Sequence, residues 1–358
     1  MKVYHDLVRN VLENGVRKEN RTGTDTISNF AEFYKVDLSE GFPLLTTKKV
    51  FFRSVVLELL WYLRGEDHIR WLRDEKDCHI WDAWADEEGH VGPIYPVLWR
   101  RFPYLEQSEE GEWVRKEFDQ VQRAIQMLKE NPNSRRIVVS TWHPGLLPQM
   151  ALPPCHIMYI FNVQDGKLNC HLTQRSGDIA LGIPFNLACY SALTMAIAQE
   201  VGLEPGTFAH TIVDAHIYVN HVDGLKEQLT RTPRALPTLK IANKPVDELT
   251  FDDFVLENYD PDFLLEEELP KLISVIEKKH PNINVEELNQ LIAKKNWRSL
   301  VSLLITDYYD PLYTHSIKRR LDQTISCIKT LKPIKDSFSD LTREIILSLN
   351  KHLGQTKI

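Results

Sequence analysis

The sequence predicts an α+β fold from three observations. Two alternating apolar runs flank Asp165-Gly166, a dipeptide typical of tight hairpin turns. A mostly apolar run over residues 185–201, which ends near Gly202, predicts a long helix. An alternating run over residues 207–218 predicts a further strand after that helix. Strands and long helices mixed in this way favour one α+β core.

Weaker patterns give the other elements in chain order. Helices are predicted over residues 3–17, 53–64 and 118–130, where apolar residues recur at helical spacing. Strands are predicted over residues 27–38 and 137–142. These elements place helices and strands on both sides of the central hairpin.

The character of the chain changes at about residue 264. Glu266-Glu267-Glu268 and Pro270 are followed by helical periodicity without a catalytic motif. We therefore expect a catalytic domain over residues 1–263 and a helical extension of unknown role over residues 264–358.

Composition narrows the class of protein. The chain has 358 residues, of which 43% are hydrophobic and 26% charged, as in ordinary globular proteins. A net charge of -7 argues against a surface that coats nucleic acid, so no obligate nucleic-acid partner is expected. There is neither a run of membrane-spanning length nor a signal-peptide pattern, which predicts no membrane association and a cytoplasmic location.

The cysteines favour reduced thiols. Five of them, an odd number, are spread thinly along the chain and form a poor disulfide framework. Three lie next to a histidine, but adjacent Cys-His pairs lack the spacing that directs ligands at one ion. We therefore expect no metal site.

Cys155 is the candidate nucleophile. It lies at one end of the predicted hairpin, and Arg175, Ser176 and Asp178 lie at the other. Because a hairpin brings its ends together, the thiol should lie beside a guanidinium, a hydroxyl and a carboxylate. Nearby arginines or His156 would favour the thiolate, which is the reactive form. An inert buried cysteine is the alternative.

Four other residues each have an ordinary and a functional interpretation. Glu58, in an apolar helix, is either at its polar edge or paired, or it is buried with a raised pKa that suits proton transfer. Trp81 either packs in the core or forms a wall for a flat ring. His216 and Tyr218, two residues apart in a strand, share a face and are either a hydrogen-bonded pair or a ligand contact.

The motifs resemble those of the thymidylate synthase family, which includes pyrimidine nucleotide hydroxymethylases. The central one reads CH, at Cys155-His156, followed by QRSxDxxLGxPFN from Gln174 to Asn186. The similarity runs from about residue 1 to about residue 262. Further blocks are Arg21-Thr22-Gly23-Thr24, Phe42-Pro43-Leu44-Leu45-Thr46-Thr47-Lys48, Glu58-Leu59-Leu60-Trp61, Ile80-Trp81-Asp82-Ala83-Trp84-Ala85, Ser134-Arg135-Arg136 and Asp214-Ala215-His216-Ile217-Tyr218.

The resemblance implies a mixed, twisted sheet with flanking helices, and a homodimer in which two such sheets pack together. It also implies a site for dUMP. The 5′-phosphate would be held by Arg21, Arg175 and Ser176, with Arg135 and Arg136 crossing from the second subunit. His216 and Tyr218 would bind the sugar hydroxyl. Asn186 would read uracil O4 and N3–H, whereas family members that act on cytosine tend to carry aspartate there.

The resemblance further implies the chemistry and its co-substrate, 5,10-methylenetetrahydrofolate. Cys155 would add to C6 of the pyrimidine, and Asn186 with water near His156 would stabilise the enolate. Tyr95 and Glu58 would organise the water that removes the C5 proton. Residues implied to hold the folate are Lys48, Ile80, Trp81, Leu152, Asp178, Gly182 and Phe185.

Two departures from the family pattern favour hydroxymethylation of dUMP over methylation. Tyr95-Pro96-Val97-Leu98-Trp99-Arg100 stands where thymidylate synthases normally read YGxQWR. About ninety residues follow Tyr259-Asp260-Pro261, whereas the family's terminal carboxylate closes over the folate near that place. Since water exclusion decides the outcome, a deoxyuridylate hydroxymethylase is the first hypothesis and a thymidylate synthase the second. A non-catalytic nucleotide-binding scaffold and, more weakly, a cysteine hydrolase are alternatives of other classes.

Overall fold

Helices and strands alternate along residues 1–20 and 23–262, which are the residues that the computed structural model describes. The helices are α1 (Lys2–Asn14), α2 (Phe52–Arg64), α3 (Tyr95–Arg100), α4 (Gln120–Glu130), α5 (Gly182–Val201) and α6 (Val222–Gln228). The strands are β1 (Val16–Lys18), β2 (Thr26–Asp37), β3 (Phe102–Gln107), β4 (Trp113–Phe118), β5 (Val138–Ser140), β6 (His156–Gln164), β7 (Lys167–Asp178), β8 (Glu204–Tyr218), β9 (Thr238–Ile241) and β10 (Phe254–Glu257).

The central element is a six-stranded sheet in the order β1-β2-β8-β7-β6-β5. Only β7 and β8 pair in parallel, so the predicted mixed sheet is confirmed. The predicted hairpin is β6–β7, and its turn residues Asp165 and Gly166 have φ values of 50° and 74°. Two consecutive residues with positive φ match the twist of the flanking strands.

Helix α5 connects β7 to β8 and is the centre of the core. Parallel neighbours need such a crossover, because a tight turn cannot join them. The helix contacts β7, β8, α2 and α4. Its apolar residues therefore surround it on all sides, as expected for a helix that is buried rather than lying on the surface. This packing fixes the first turn of α5, and with it Asn186, against the end of β7.

The observed boundaries differ from the predicted ones by up to three residues. The first helix ends at Asn14 rather than residue 17, and Val16–Lys18 instead pairs with β2. Gly15 has an extended backbone, and a β-carbon there would lie 2.4 Å from the carbonyl oxygen of Val11, so the chain turns sharply at a glycine. The predicted strand over residues 137–142 is shorter, at Val138–Ser140.

The β3–β4 hairpin was not predicted, because its residues are mostly exposed and lack a buried apolar face. In residues 1–20 and 23–262, no helix combines the length and apolar character needed to cross a membrane. The predicted helical extension over residues 264–358 lies outside the described residues.

Candidate active site

The thiol of Cys155 lies beside the guanidinium of Arg175. Cys155 directly precedes β6, and its carbonyl accepts a 2.8 Å hydrogen bond from the Arg175 N–H. Arg175 Nη2 lies 4.0 Å from Cys155 Sγ. The same guanidinium donates to the carbonyls of Pro154 and Pro153 at 2.8 and 2.9 Å and lies 5.6 Å from the centroid of the Trp142 ring. A fixed positive charge at this place favours the thiolate.

His156 is neutral. It is buried, stacks on Tyr95 with ring centroids 3.9 Å apart, and its Nδ1 lies 2.8 Å from the Tyr190 hydroxyl. Burial lowers its pKa to about 3. An uncharged ring supplies no positive field. Of the two groups expected to favour the thiolate, arginine and His156, only arginine can therefore do so.

Glu58 and Tyr95 lie on the helical side of the thiol. The Tyr95 hydroxyl accepts a 2.6 Å hydrogen bond from the Cys155 N–H. Glu58 is buried in α2, and its carboxylate accepts a 2.8 Å hydrogen bond from Trp81 Nε1 and another from Tyr62. Burial outweighs these bonds and raises the pKa of Glu58 to about 7. A carboxyl group with that pKa exchanges protons near neutral pH.

Asn186 lies near the start of α5, one helical turn after Gly182, the first residue of the helix. Its Oδ1 accepts a 3.1 Å hydrogen bond from Gln174 Nε2. Gln174 is the cross-strand neighbour of His156, so the amide lies on the strand pair that carries the thiol. The Gly177 position beneath this turn is closed to larger residues, because a β-carbon there would lie 2.7 Å from Ile212.

The residues predicted to hold folate comprise apolar and polar side chains. Trp81 is buried, and Ile80, Leu152 and Phe185 are half-buried and pack against the core. Asp178 Oδ1 accepts hydrogen bonds from the N–H groups of Ala180 and Leu181 at 2.9 and 3.3 Å.

Lys48 lies near the same carboxylate. It donates to the Ala180 carbonyl, and burial lowers its pKa to about 8 while Asp178 opposes that shift. Its loop is held by Thr47, whose hydroxyl contacts Gln228 at 3.0 Å and His5 at 3.2 Å. Apolar side chains, a carboxylate and an amine are the kinds of group that suit a flat heteroaromatic ring with an anionic tail.

His216 and Tyr218 share one face at the end of β8, with ring centroids 5.4 Å apart. Both are half-buried, and His216 Nδ1 lies 3.1 Å from Asp214 Oδ1. The next strand, β7, places Ser176 opposite Asp214 and Asp178 opposite His216. Hydroxyl and imidazole groups therefore line the ends of these two neighbouring strands.

The predicted phosphate ligands are only partly visible. Arg175 lies beside Cys155, as described above. Arg21 lies outside the described residues. Arg135 and Arg136 are exposed in the segment between α4 and β5, and neither forms a salt bridge with a residue of the described ranges.

The sequence motifs gave no role to several residues that hold the site together. Gln174 fixes Asn186, Tyr190 contacts His156, and Trp142 lies under Arg175. Gln174 could have been noticed, because it is a buried amide at a core position of an alternating strand. Tyr190 and Trp142 carry no comparable signal, since aromatic residues are ordinary in cores.

A thiol held beside a guanidinium on an α+β sheet is an arrangement that suits an enzyme with a cysteine nucleophile. The thymidylate synthase family model matches residues 2–269, and the chain belongs to that family. Membership supports folate-dependent transfer of a one-carbon unit to C5 of dUMP, with methylenetetrahydrofolate as the co-substrate.

Proposed function

We propose that this protein hydroxymethylates dUMP at C5 and releases 5-hydroxymethyl-dUMP. The observation that carries the transferase chemistry is the 4.0 Å approach of Arg175 Nη2 to Cys155 Sγ, on the strand pair whose Gln174 holds Asn186. A cysteine hydrolase is disfavoured because no carboxylate among the described residues orients the neutral His156; its Nδ1 contacts the Tyr190 hydroxyl instead.

The nucleophilic step uses Cys155 and Asn186. The electron pair of the thiolate forms the S–C6 bond, and the C5=C6 electrons move toward O4 of the uracil. Asn186 Nδ2 donates to that developing negative charge, and Asn186 Oδ1 accepts from N3–H. C5 then has the electron density to take a one-carbon unit from the folate. Loss of the C5 proton would release the folate nitrogen and leave an exocyclic methylene on the nucleotide. Water would add to that carbon, and the electron pair returned to C5 would re-form the C5=C6 bond as the thiolate leaves C6.

Glu58 is proposed to move the C5 proton through water. Its pKa of about 7 lets it accept and return a proton at neutral pH, and Tyr95 lies between its α2 helix and Cys155. Tyr95 contributes by orienting the backbone of the nucleophile rather than by ionising, because burial raises its pKa well above 10.

The nucleotide's 5′-phosphate is proposed to bind Arg175, Ser176 and Arg21, with Arg135 and Arg136 supplied by a second copy. The exposed side chains of Arg135 and Arg136 support this role. A planar guanidinium presents paired N–H groups that match phosphate oxygens. Alternate residues of β7 and β8 on the sheet face away from α5 are only half-buried, which supports packing of a second sheet there: Asn169, His171, Thr173, Thr207, Ala209 and Thr211.

Bound methylenetetrahydrofolate supplies the one-carbon unit and, if methylation is the outcome, a hydride. Ile80, Trp81, Leu152 and Phe185 are proposed to stack against its rings. Asp178 would hydrogen-bond the pterin beside Gly182, and Lys48 would pair with the glutamate tail.

The choice of hydroxymethylation rests on the chain beyond Asp262. The Tyr259 hydroxyl donates to the Leu45 carbonyl and accepts from the Val50 N–H, both at 2.8 Å, and the Asp262 N–H donates to the Thr46 carbonyl at 2.6 Å. The chain thus reaches the loop that carries Lys48 and continues there as a peptide instead of ending in a carboxylate. A site closed differently would admit water to the exocyclic methylene. Leu98 stands where the family motif YGxQWR has glutamine. It is fully buried in α3, so this departure supports hydroxymethylation less than the continued chain does.

The test is to incubate the full chain with dUMP and methylenetetrahydrofolate and to measure the mass of the nucleotide. We expect a product heavier than dUMP by CH2O, with no rise in absorbance from dihydrofolate. A product heavier by CH2, formed with stoichiometric dihydrofolate, would establish the second candidate, a thymidylate synthase. This candidate is supported by the presence of every proposed catalytic residue within the described ranges. Nucleotide binding without any product would favour the scaffold.

The cytoplasm is the proposed location, because the reduced thiol of Cys155 is required for this chemistry.

A further inference from the structure

A chain of buried polar side chains crosses three neighbouring strands and ends at Asn186. The Tyr34 hydroxyl on β2 lies 2.8 Å from His210 Nδ1 on β8. His210 Nε2 lies 3.0 Å from Gln174 Oε1 on β7, and Gln174 Nε2 donates to Asn186 Oδ1 at 3.1 Å. Tyr34, His210 and Gln174 are 7%, 0% and 2% exposed. Groups so buried keep their orientation only by hydrogen bonding to one another.

The direction of every hydrogen bond in this chain follows from one backbone carbonyl. Gln174 Nε2 lies 2.9 Å from the Ser176 carbonyl oxygen, which can only accept. The Gln174 amide group facing that carbonyl is therefore the NH2 end, and its Oε1 faces His210. His210 Nε2 must then carry the proton, and Nδ1 must accept from the Tyr34 hydroxyl.

His210 supports this direction only while it is neutral. Burial, together with smaller effects of the neighbouring His156 and His171, lowers its pKa to about 3. A neutral imidazole has one donor and one acceptor nitrogen, so the donor from Tyr34 selects the Nε2–H tautomer. That tautomer is the one that holds Gln174 Oε1.

We propose that Tyr34 and His210 are positioning residues that select uracil over cytosine. Uracil needs an acceptor for N3–H and a donor for O4, whereas cytosine presents an acceptor at N3 and a donor at N4. Turning the Asn186 amide by 180° would exchange these preferences. Gln174 holds Asn186 Oδ1 in the place of an acceptor, and the Tyr34–His210 pair holds Gln174. This inference rests on the proposed function of Asn186.

The deciding variant is Tyr34→Phe, which removes one oxygen atom. Without the Tyr34 donor, His210 is free to take the Nδ1–H tautomer, whose bare Nε2 repels Gln174 Oε1. His210→Phe removes the link entirely. Neither side chain contacts the ligands in the proposed mechanism, so the effect should fall on discrimination between bases.

The experiment measures the dissociation constants of dUMP and dCMP for the full chain by calorimetry. We expect Tyr34→Phe and His210→Phe each to lower the preference for dUMP about tenfold, the worth of one hydrogen bond. Tyr159→Phe is the matched control, because it removes the same atom from a buried tyrosine whose hydroxyl has no hydrogen-bond partner among the described residues. Asn186→Asp marks the effect of changing the base-reading group itself.

Each outcome is decisive. If Tyr34→Phe and His210→Phe keep the wild-type preference within about twofold while Asn186→Asp loses it, the positioning role is wrong and the proposed function stands. An equal loss in Tyr159→Phe would also overturn it, since the effect would then be general. A wild-type protein that binds neither nucleotide would refute the proposed function, and the inference with it. Should His210→Phe fail to fold, Tyr34→Phe decides alone.

Discussion

The four cysteines in the described residues differ in their surroundings, and these surroundings separate the candidate nucleophile from the rest. Cys78, Cys170 and Cys189 are buried, whereas Cys155 is partly accessible beside Arg175. Burial raises the pKa of Cys170 to about 12, so that thiol stays protonated at neutral pH. The four thiols are chemically identical, so any difference in their reactivity must come from their surroundings.

Cys155→Ala should abolish turnover and leave dUMP binding within about threefold of wild type, because the phosphate and base contacts remain. Turnover and calorimetric binding measure the two effects. Cys170→Ala is the matched control and should retain activity. Residual turnover in Cys155→Ala above that of the buffer would show that another group is the nucleophile.

Glu58→Gln should change how stability depends on pH. Burial raises the folded-state pKa of Glu58 from 4.5 to about 7, so the folded protein binds a proton more tightly than the unfolded chain. The contribution of Glu58 to the free energy of unfolding of the wild type therefore falls as pH rises from about 4.5 through about 7. The loss is roughly 2–3 kcal/mol between about pH 5 and pH 8. Urea unfolding at both pH values should show that the variant lacks this loss.

Glu109→Gln provides the control for that measurement, since Glu109 is exposed. It should keep the wild-type pH dependence. If Glu58→Gln keeps the wild-type pH dependence, groups other than Trp81 and Tyr62 must stabilise the charged carboxylate and prevent the rise in its pKa.

At the scale of elements, the β6–β7 hairpin brings residues twenty apart to one place. Arg175 pairs with the backbone of Cys155 because the strands start from a tight turn with both central residues at positive φ. A two-residue turn fixes the register in which the two strands pair, and that register determines which residues lie opposite each other at the open end of the hairpin.

Gly166→Ala should destabilise the protein by about 1 kcal/mol. A β-carbon there would meet no atom within 4 Å, so the cost arises only from the backbone φ of 74°. Denaturant unfolding measures it. Gly224→Ala, in α6 and equally open, should be neutral or stabilising by up to about 1 kcal/mol. Equal losses at both glycines would exclude backbone conformation as the cause.

Sequence reasoning identified the hairpin, α5 and the ends of β7 and β8 because their signals are local: a turn dipeptide, a long apolar run and alternation. It could not see the β3–β4 hairpin, whose faces are both largely exposed, or the chain from Tyr34 to Gln174. Those polar residues meet only because β2, β8 and β7 lie side by side, and sheet order is not written in any one segment. The neutrality of His156 depends in the same way on Tyr95 and Tyr190.

At the scale of the whole molecule, the proposed function requires two copies, because Arg135 and Arg136 are assigned to the partner's phosphate site. We therefore predict that two inactive variants restore activity when they form mixed dimers. Cys155→Ala supplies the arginines to a partner carrying Arg135→Ala and Arg136→Ala, whose own Cys155 is intact. With random exchange, half of the dimers are mixed and each has one complete site, so about a quarter of wild-type turnover should return.

Steady-state turnover of the mixture, after exchange has been verified with two affinity tags, checks this prediction. A mixture that contains mixed dimers yet stays inactive would show that the arginines do not act across the interface. A wild-type chain that sediments as a monomer would contradict the dimer itself.

The pairing of β2 with β8 has a consequence for synthesis. Asp37 ends β2 and Glu204 begins β8, so about 170 residues separate the partners. At roughly 5–20 residues per second, a ribosome needs roughly 10–30 s to make the second strand after the first. During that interval the nascent chain carries β2 with one edge unpaired, and the candidate site lacks residues until translation has passed Tyr218. Newly made protein therefore depends on keeping that edge from pairing with other chains before its own strand arrives.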